Sequence, residues 1–296
     1  MNGAFIALGT FDGVHRGHQT MLADLTDLST VYRIPSLVLF FPVPPRAALS
    51  GNTVMSMITL PEERAALISA CGVDRVSQIE FTGRISSMGH EEFFSDVLLS
   101  RYRMKGLLVG KDFAFGRNRA GHIDYMRRAC SEAGIPLFVH PFVKEGGHKI
   151  SSSVIRGLLR EGRVEEASRL LGRRYAISGK VVRGEGLGRK LGFPTANLDC
   201  GTLKILPRGV FAVNARLGER SFRAVANVGF RPTVNTIHAE VPLMEVHMLG
   251  FDEMIYGRML DIEFLSRIRG EKRFHGVEEL SAQVREDMRR ARTVTC

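Results

Sequence analysis

Cysteine is scarce in this chain: Cys71, Cys130, Cys200 and Cys296 lie far apart, with no CxxC pair. That spacing excludes a disulfide-stapled fold and a cysteine metal site, and it fits a reducing, cytoplasmic setting. Long apolar runs are also missing. The longest, around Leu37-Val38-Leu39-Phe40-Phe41, has the length of a strand and cannot span a bilayer, so no membrane partner is expected. The first residues, Met1-Asn2-Gly3-Ala4, carry no basic stretch ahead of the apolar run and read as the start of a strand, not a signal peptide. There is no charged tail. The net charge of +10 divides into +4 over residues 1–173 and +6 over residues 174–296. An excess spread so evenly reads more simply as sites for polyanionic small molecules on a solvated basic surface than as a nucleic-acid footprint. A Walker A loop, G-x-x-x-x-G-K-[ST], is absent.

What is present suggests two domains: 296 residues, 44% of them hydrophobic, are enough for two buried cores. In the first half, the apolar run Ala4-Phe5-Ile6-Ala7-Leu8 reads as a buried strand. It leads into Gly9-Thr10-Phe11-Asp12-Gly13-Val14-His15-Arg16-Gly17-His18. Met21, Leu22 and Leu25 follow at helical spacing. Strand, glycine turn and helix start form a phosphate site, because the first amides of a helix lack internal partners and its dipole favours an anion. Gly9 and Gly13 permit the sharp turn, and Gly17 leaves room for a ligand between the histidines. His15 and His18, three apart, point the same way on a first helical turn and could stabilise charge developing at phosphorus. Two solvated histidines behind an ordinary turn would be the plain alternative.

Further along, residues 31–41 read as a second strand after Pro35. It empties into Phe41-Pro42-Val43-Pro44-Pro45-Arg46, a stiff loop whose Arg46 could meet a phosphate. A helix opens at Thr59-Leu60-Pro61, a strand region covers 73–81, and a helix covers 91–99. The strand 106–110 leads into a loop, 111–121, holding Asp112, Phe113 and several cations, which would suit a nucleotide or flavin. A helix over 123–130 and a strand over 136–142 complete a doubly wound parallel sheet, an α/β domain. Ile150-Ser151-Ser152-Ser153-Val154-Ile155-Arg156 then opens a helix with Ile155, Leu158 and Leu159 inward. A cation as early as Arg156 opposes the helix dipole, which an anionic ligand there would explain.

After Arg173 the pattern changes to short strands at 176–182, 209–215, 222–228, 243–248 and 258–264, the sign of a small antiparallel β-barrel. A C-terminal helix should pack on it through Val277, Leu280, Val284 and Met288. Gly184, Gly186 and Gly188, with Arg189, make a loop able to wrap phosphates. Thr195 and Asn197, two apart in an extended segment, offer oxygens suited to Mg²⁺, or merely face water. Glu245 and His247 alternate with Met244, Val246 and Met248. A carboxylate there could take a proton from a hydroxyl that attacks a phosphate, or be a solvated strand residue.

The glycine–histidine run resembles the HxGH nucleotidyltransferases, and I-S-S-x-x-I-R resembles their second signature. Together with G-x-G-R-x-L-G-F-P-T-A-N and N-x-G-x-R-P-T (Asn227 to Thr233), the whole chain resembles the bifunctional riboflavin kinase/FMN adenylyltransferases, the prokaryotic FAD synthetases. The resemblance implies an adenylyltransferase domain over 1–173 and a riboflavin kinase barrel over 174–296. The barrel would make FMN and ADP from riboflavin and ATP. The first domain would make FAD and pyrophosphate from FMN and a second ATP. It implies Glu245 as the base, with Thr195 and Asn197 holding Mg²⁺. His15, His18 and Arg156 would be catalytic. Gly9, Thr10, Phe11, Gly17, Ser152 and Ser153 would contact nucleotide phosphate, and Arg46, Asp112 and Phe113 would lie near the flavin. Three departures stand out. Thr10 replaces a frequent asparagine. The proline loop lacks the histidine often found before its second proline. Ser153-Val154 replaces a threonine–arginine pair. They leave one alternative, a kinase with a weakened adenylyltransferase; the +10 charge motivates another, a flavin- or RNA-binding regulator on the same fold. The P-T-A-N barrel argues against other HxGH enzymes, and a weak homo-oligomer stays open.

Overall fold

Strand β1 (Ala4–Gly9) sends Ala4, Ile6 and Leu8 into one core and Phe5 and Ala7 into another, on opposite faces of its sheet. Both faces are covered, so the strand reads as an unbroken apolar run. With β2 (Ser36–Phe40), β3 (Arg75–Gln78), β4 (Met104–Gly110) and β5 (Leu137–His140) it forms a parallel sheet in the order β3-β2-β1-β4-β5. The computed structural model describes residues 3–43, 56–184, 186, 188, 191–232 and 240–294. The chain divides into two compact units, Met1–Ser152 and Ser153–Cys296.

In the first unit, α1 (Arg16–Tyr32) buries Met21, Leu22 and Leu25 as expected. It runs through Tyr32, so residues 31–35 are not strand, and Val31 is exposed at the helix end. The second helix, α2 (Pro61–Ser69), starts with proline in its first turn. The helix expected over 91–99 is wound differently. Over Phe93–Arg101 it is a π-helix, in which Tyr102 N–H reaches the Val97 carbonyl at 3.1 Å. The wider turn lets the adjacent pairs Phe93/Phe94 and Val97/Leu98 face one core. Helix α3 (Ile123–Glu132) precedes β5.

Helix α4 (Ser152–Arg160), which buries Ile155, Leu158 and Leu159, starts one residue before the second unit, and α5 (Val164–Leu171) follows. Helix α5 bonds to residues that follow it. Glu165 accepts the Arg267 amide at 2.9 Å, and Ser168 Oγ accepts the Tyr175 amide at 3.2 Å. The barrel is closed and antiparallel, in the order β6-β7-β10-β9-β8-β11. Its strands are β6 (Ala176–Val182), β7 (Ala196–Asp199), β8 (Gly209–Leu217), β9 (Arg220–Pro232), β10 (Glu240–Met248) and β11 (Met259–Arg269).

Helix α6 (Val277–Thr293) packs on the barrel by the expected face towards its C-terminal end, Val277 apart. Val277 is 56% exposed, and the inward side presents Met288, Ala291 and the buried Asp287. Asp287 pairs with Arg269 of β11 at 2.8 Å. This ionic contact stands beside an apolar one, in which Met288 and Ala291 lie against Val210, Ala212 and Val225.

Candidate active sites

The first site lies at the carboxyl ends of β1 and β4, where the strand order reverses and an open parallel sheet offers a crevice. The chain turns tightly out of β1, with φ of 50°, 85° and 38° at Phe11, Gly13 and Val14. Glycine takes such a value freely and the other two do not. A buried network holds them there. Asp12, 1% exposed, accepts the amides of Ile58 at 3.0 Å and Thr59 at 3.1 Å and pairs with Arg64 at 3.2 Å. Arg64, wholly buried on α2, also donates to the carbonyls of Thr10 (3.1 Å), Phe41 (2.9 Å), Pro42 (3.2 Å) and Thr59 (2.9 Å). It therefore ties the glycine turn to the start of the proline loop. Its bond to residue 10 uses only the carbonyl, so a threonine in place of the frequent asparagine leaves it intact.

Sequence reasoning missed Arg64. The available signal was a cation early in a helix, behind Glu62 and Glu63, the same anomaly noted at Arg156. Removing one member of a buried pair typically costs about 3–5 kcal/mol. Arg64→Ala is therefore expected to open the turn. Hydrogen exchange at the Gly13, Ile58 and Thr59 amides, which bond to Thr59 Oγ1 and Asp12, checks this. Their protection should fall, and unchanged protection would contradict the assignment.

His15 is the N-cap of α1 and lies just outside the helix, not on its first turn as expected. The two histidines still converge: their rings stack at 3.6 Å and 13°. His15 Nδ1 accepts the His18 amide at 3.2 Å, which leaves the ring's proton to Nε2. Burial, then the neighbouring His15, Arg64, His140 and Lys149, pushes His18 well below the usual histidine range. Its Nδ1 is buried without a hydrogen-bond partner. A neutral, unsatisfied ring beside a helix N-terminus is placed to receive an anion's oxygen. Phe11 is 2% exposed and its ring lies 5.1 Å from that of His18, so it acts as packing beneath the histidines. A Cβ at Gly17 would lie 3.3 Å from the His15 ring and 3.6 Å from Val143. Its bare backbone thus serves close packing more than an open approach. A Cβ at Gly9 would likewise press on the Phe11 ring at 3.0 Å.

Ser152 Oγ donates to the Asp12 carbonyl at 2.8 Å, which brings the second signature onto the first. Arg156 Nη2 reaches Ser153 Oγ at 3.4 Å, and Val154 is 45% exposed. Asp112 pairs with Lys149, and Phe113 stacks on Phe115 at 5.5 Å and 19°. Arg46 lies outside the described residues.

The second site is on the outer wall of the barrel. Met244 and Val246 are fully buried inside, so Glu245 and His247 face outward, as the alternation predicts. Register sets Asn197 directly opposite Glu245 on one side and Asn227 opposite it on the other. Directly opposed residues share a face, so the three side chains form one polar row. Asn227 had no role in the sequence reading beyond its motif. A Cβ at Gly184 would lie 2.1 Å from Asn197 Nδ2, and one at Gly188 would lie 2.5 Å from the Phe193 carbonyl oxygen. Only glycine lets this loop lie against Asn197 and the Phe193-Pro194 turn. Gly186 takes φ 71°. Arg189 lies outside the described residues. Thr195 is exposed beside a cleft of about 470 Å³, lined also by Pro194, Met248, Phe251 and Tyr256.

Among the described residues no group of three or more His, Cys, Asp or Glu side chains could hold a metal ion. Burial pushes the thiols of Cys130 and Cys200 up to about 11 and about 12, which disfavours the thiolate at both. No described helix is long and apolar enough to cross a membrane.

Residues 1–154 match the FAD synthetase family and residues 171–295 match the riboflavin kinase family. A bifunctional riboflavin kinase/FMN adenylyltransferase of Escherichia coli (strain K12) is 36% identical over 291 residues, covering 98% of this chain and 92% of its own. One from Pseudomonas fluorescens is 35% identical over 295 residues, covering 99% and 93%. A crystal structure from Streptococcus pneumoniae, described as a macrolide-efflux protein, aligns with a TM-score of 0.89 at 28% identity, covering 100% of this chain and 96% of that one. Both families occur here in the order of those bifunctional relatives, which match nearly end to end: the chain belongs to the bifunctional riboflavin kinase/FMN adenylyltransferases, ATP-using enzymes that make FMN and then FAD.

Proposed function

We propose that adenylyl transfer is carried by residues 1–173 and phosphoryl transfer by residues 174–296, each through the residues placed above. In the barrel, Glu245 takes the proton from the 5′-hydroxyl of riboflavin as that oxygen attacks the γ-phosphorus of ATP, and ADP leaves. Asn197 and Thr195 hold the phosphates, with the backbone of Gly184, Gly186 and Gly188 and the cation Arg189 around them. The cleft beside Thr195 takes a planar ring of one substrate. What carries this reading is the register pairing of Asn197 with Glu245 beneath Gly184.

The donors present fit a magnesium ion. Thr195 Oγ1 and Asn197 Oδ1 are neutral oxygens, which suit a hard cation that draws its remaining ligands from phosphate and water. A Mg²⁺ held by these residues would neutralise charge on the phosphates. In the first domain, a phosphate oxygen of FMN attacks the α-phosphorus of ATP and pyrophosphate leaves, with no covalent enzyme intermediate. His15, His18, Ser152, Ser153 and Arg156 contact the ATP phosphates, and Gly9, Thr10 and Gly17 shape the turn beneath them. Arg46, Asp112 and Phe113 meet the flavin. The protein works in the cytoplasm on these small molecules, without nucleic acid.

Incubation with riboflavin and Mg-ATP, followed by chromatography of the flavins, tests this. FMN should appear first and FAD after it, and chelation of the metal should stop FMN formation. FMN without FAD would favour a decayed first site, and no conversion by folded protein would contradict both assignments.

A further inference from the structure

We propose that His247 is a positioning residue for the kinase reaction: through the Pro194 carbonyl it fixes the turn that presents the Thr195 hydroxyl to the nucleotide. The inference rests on the reading of Thr195 given above.

Strand β10 sets Glu245 and His247 on one face, two residues apart. An outward strand histidine is ordinarily solvated, yet His247 is only 9% exposed. Its Nδ1 lies 2.8 Å from the Pro194 carbonyl oxygen. A carbonyl only accepts, so Nδ1 carries the proton and the tautomer is fixed. The pairing of β7 with β10 ends at Ala196 and Val246, so the ladder does not reach Thr195. The His247 bond is the next constraint beyond it, one residue before Thr195.

The turn is also closed on itself. The amides of Leu191 and Phe193 both reach the Gly188 carbonyl, at 3.2 and 2.8 Å. The Phe193 ring meets the His247 ring nearly edge-on, at 6.2 Å and 87°, and Arg285 of α6 lies 6.0 Å from the same Phe193 ring. One strand thus carries both the base and the support of the phosphate-binding turn. Small misplacements of positioning groups can cost large factors in rate.

The test compares kinase kinetics of His247→Leu, His247→Asn and His247→Gln, with the far-ultraviolet circular dichroism and thermal melt of each variant as the control for folding. His247→Leu should raise the KM for Mg-ATP about tenfold and leave the KM for riboflavin unchanged. An asparagine amide stands where Nδ1 stands and a glutamine amide where Nε2 stands. Only His247→Asn should recover the Mg-ATP KM, and that pair decides the matter should leucine unfold the barrel. A normal Mg-ATP KM in His247→Leu, or equal loss in the Asn and Gln variants, would overturn the inference. Thr195→Val separates the two levels. If it is impaired while His247→Leu is normal, the inference alone fails. If Thr195→Val is normal, the reading beneath it fails.

Discussion

Glu245→Ala is expected to abolish FMN formation while FAD formation from supplied FMN continues at its normal rate. A positioned general base contributes about 10²–10⁴-fold, and the kinase kcat/KM should fall by that amount. Several observations make the variant clean. Glu245 lies outside the barrel, while its neighbours Met244 and Val246 fill the interior, so truncation leaves the core packed. Its opposed partners Asn197 and Asn227 are held by the sheet register and stay in place. Glu245→Gln, which keeps the shape and loses the basicity, should behave alike. Steady-state assays of both half-reactions check this. A folded variant that loses both activities, or keeps FMN formation, would contradict the assignment.

His18→Ala should do the reverse, lowering FAD formation from FMN by about 10²–10³-fold in kcat, the effect of losing one aligned donor to developing charge, and sparing the kinase. The expected size follows from the site. His18 stacks on His15, its Nδ1 has no hydrogen-bond partner, and its depressed pKa keeps it neutral at pH 7 in the free protein. An oxygen of the reacting phosphate would satisfy what the fold leaves unsatisfied. A parallel fall in FMN formation would show that the histidines serve the wrong half in this account.

How much of this was legible depended on distance along the chain. Strand β6 was read at its true bounds because its burial alternates residue by residue. The polar face of β10 followed from the same alternation. The glycine–histidine run marked its own turn and helix, since strand, turn and helix start are all local. What the sequence did not carry were contacts made across the chain. The Asp12–Arg64 pair joins residues 52 positions apart. The bond from His247 to Pro194 spans 53. The bond from the Arg267 amide to Glu165 spans 102. In helix α6 the apolar spacing marked Met288, but not the pairing of Asp287 with Arg269 of another element.

The most direct measurement mixes the two single variants, Glu245→Ala and His18→Ala, with riboflavin and Mg-ATP. Each alone should yield no FAD from riboflavin at the normal rate: the first for want of FMN, the second for want of adenylyl transfer. Two sites that act separately, with FMN passing between molecules through solution, predict that the mixture forms FAD. A mixture that accumulates FMN and forms no FAD beyond what His18→Ala makes alone would contradict that claim.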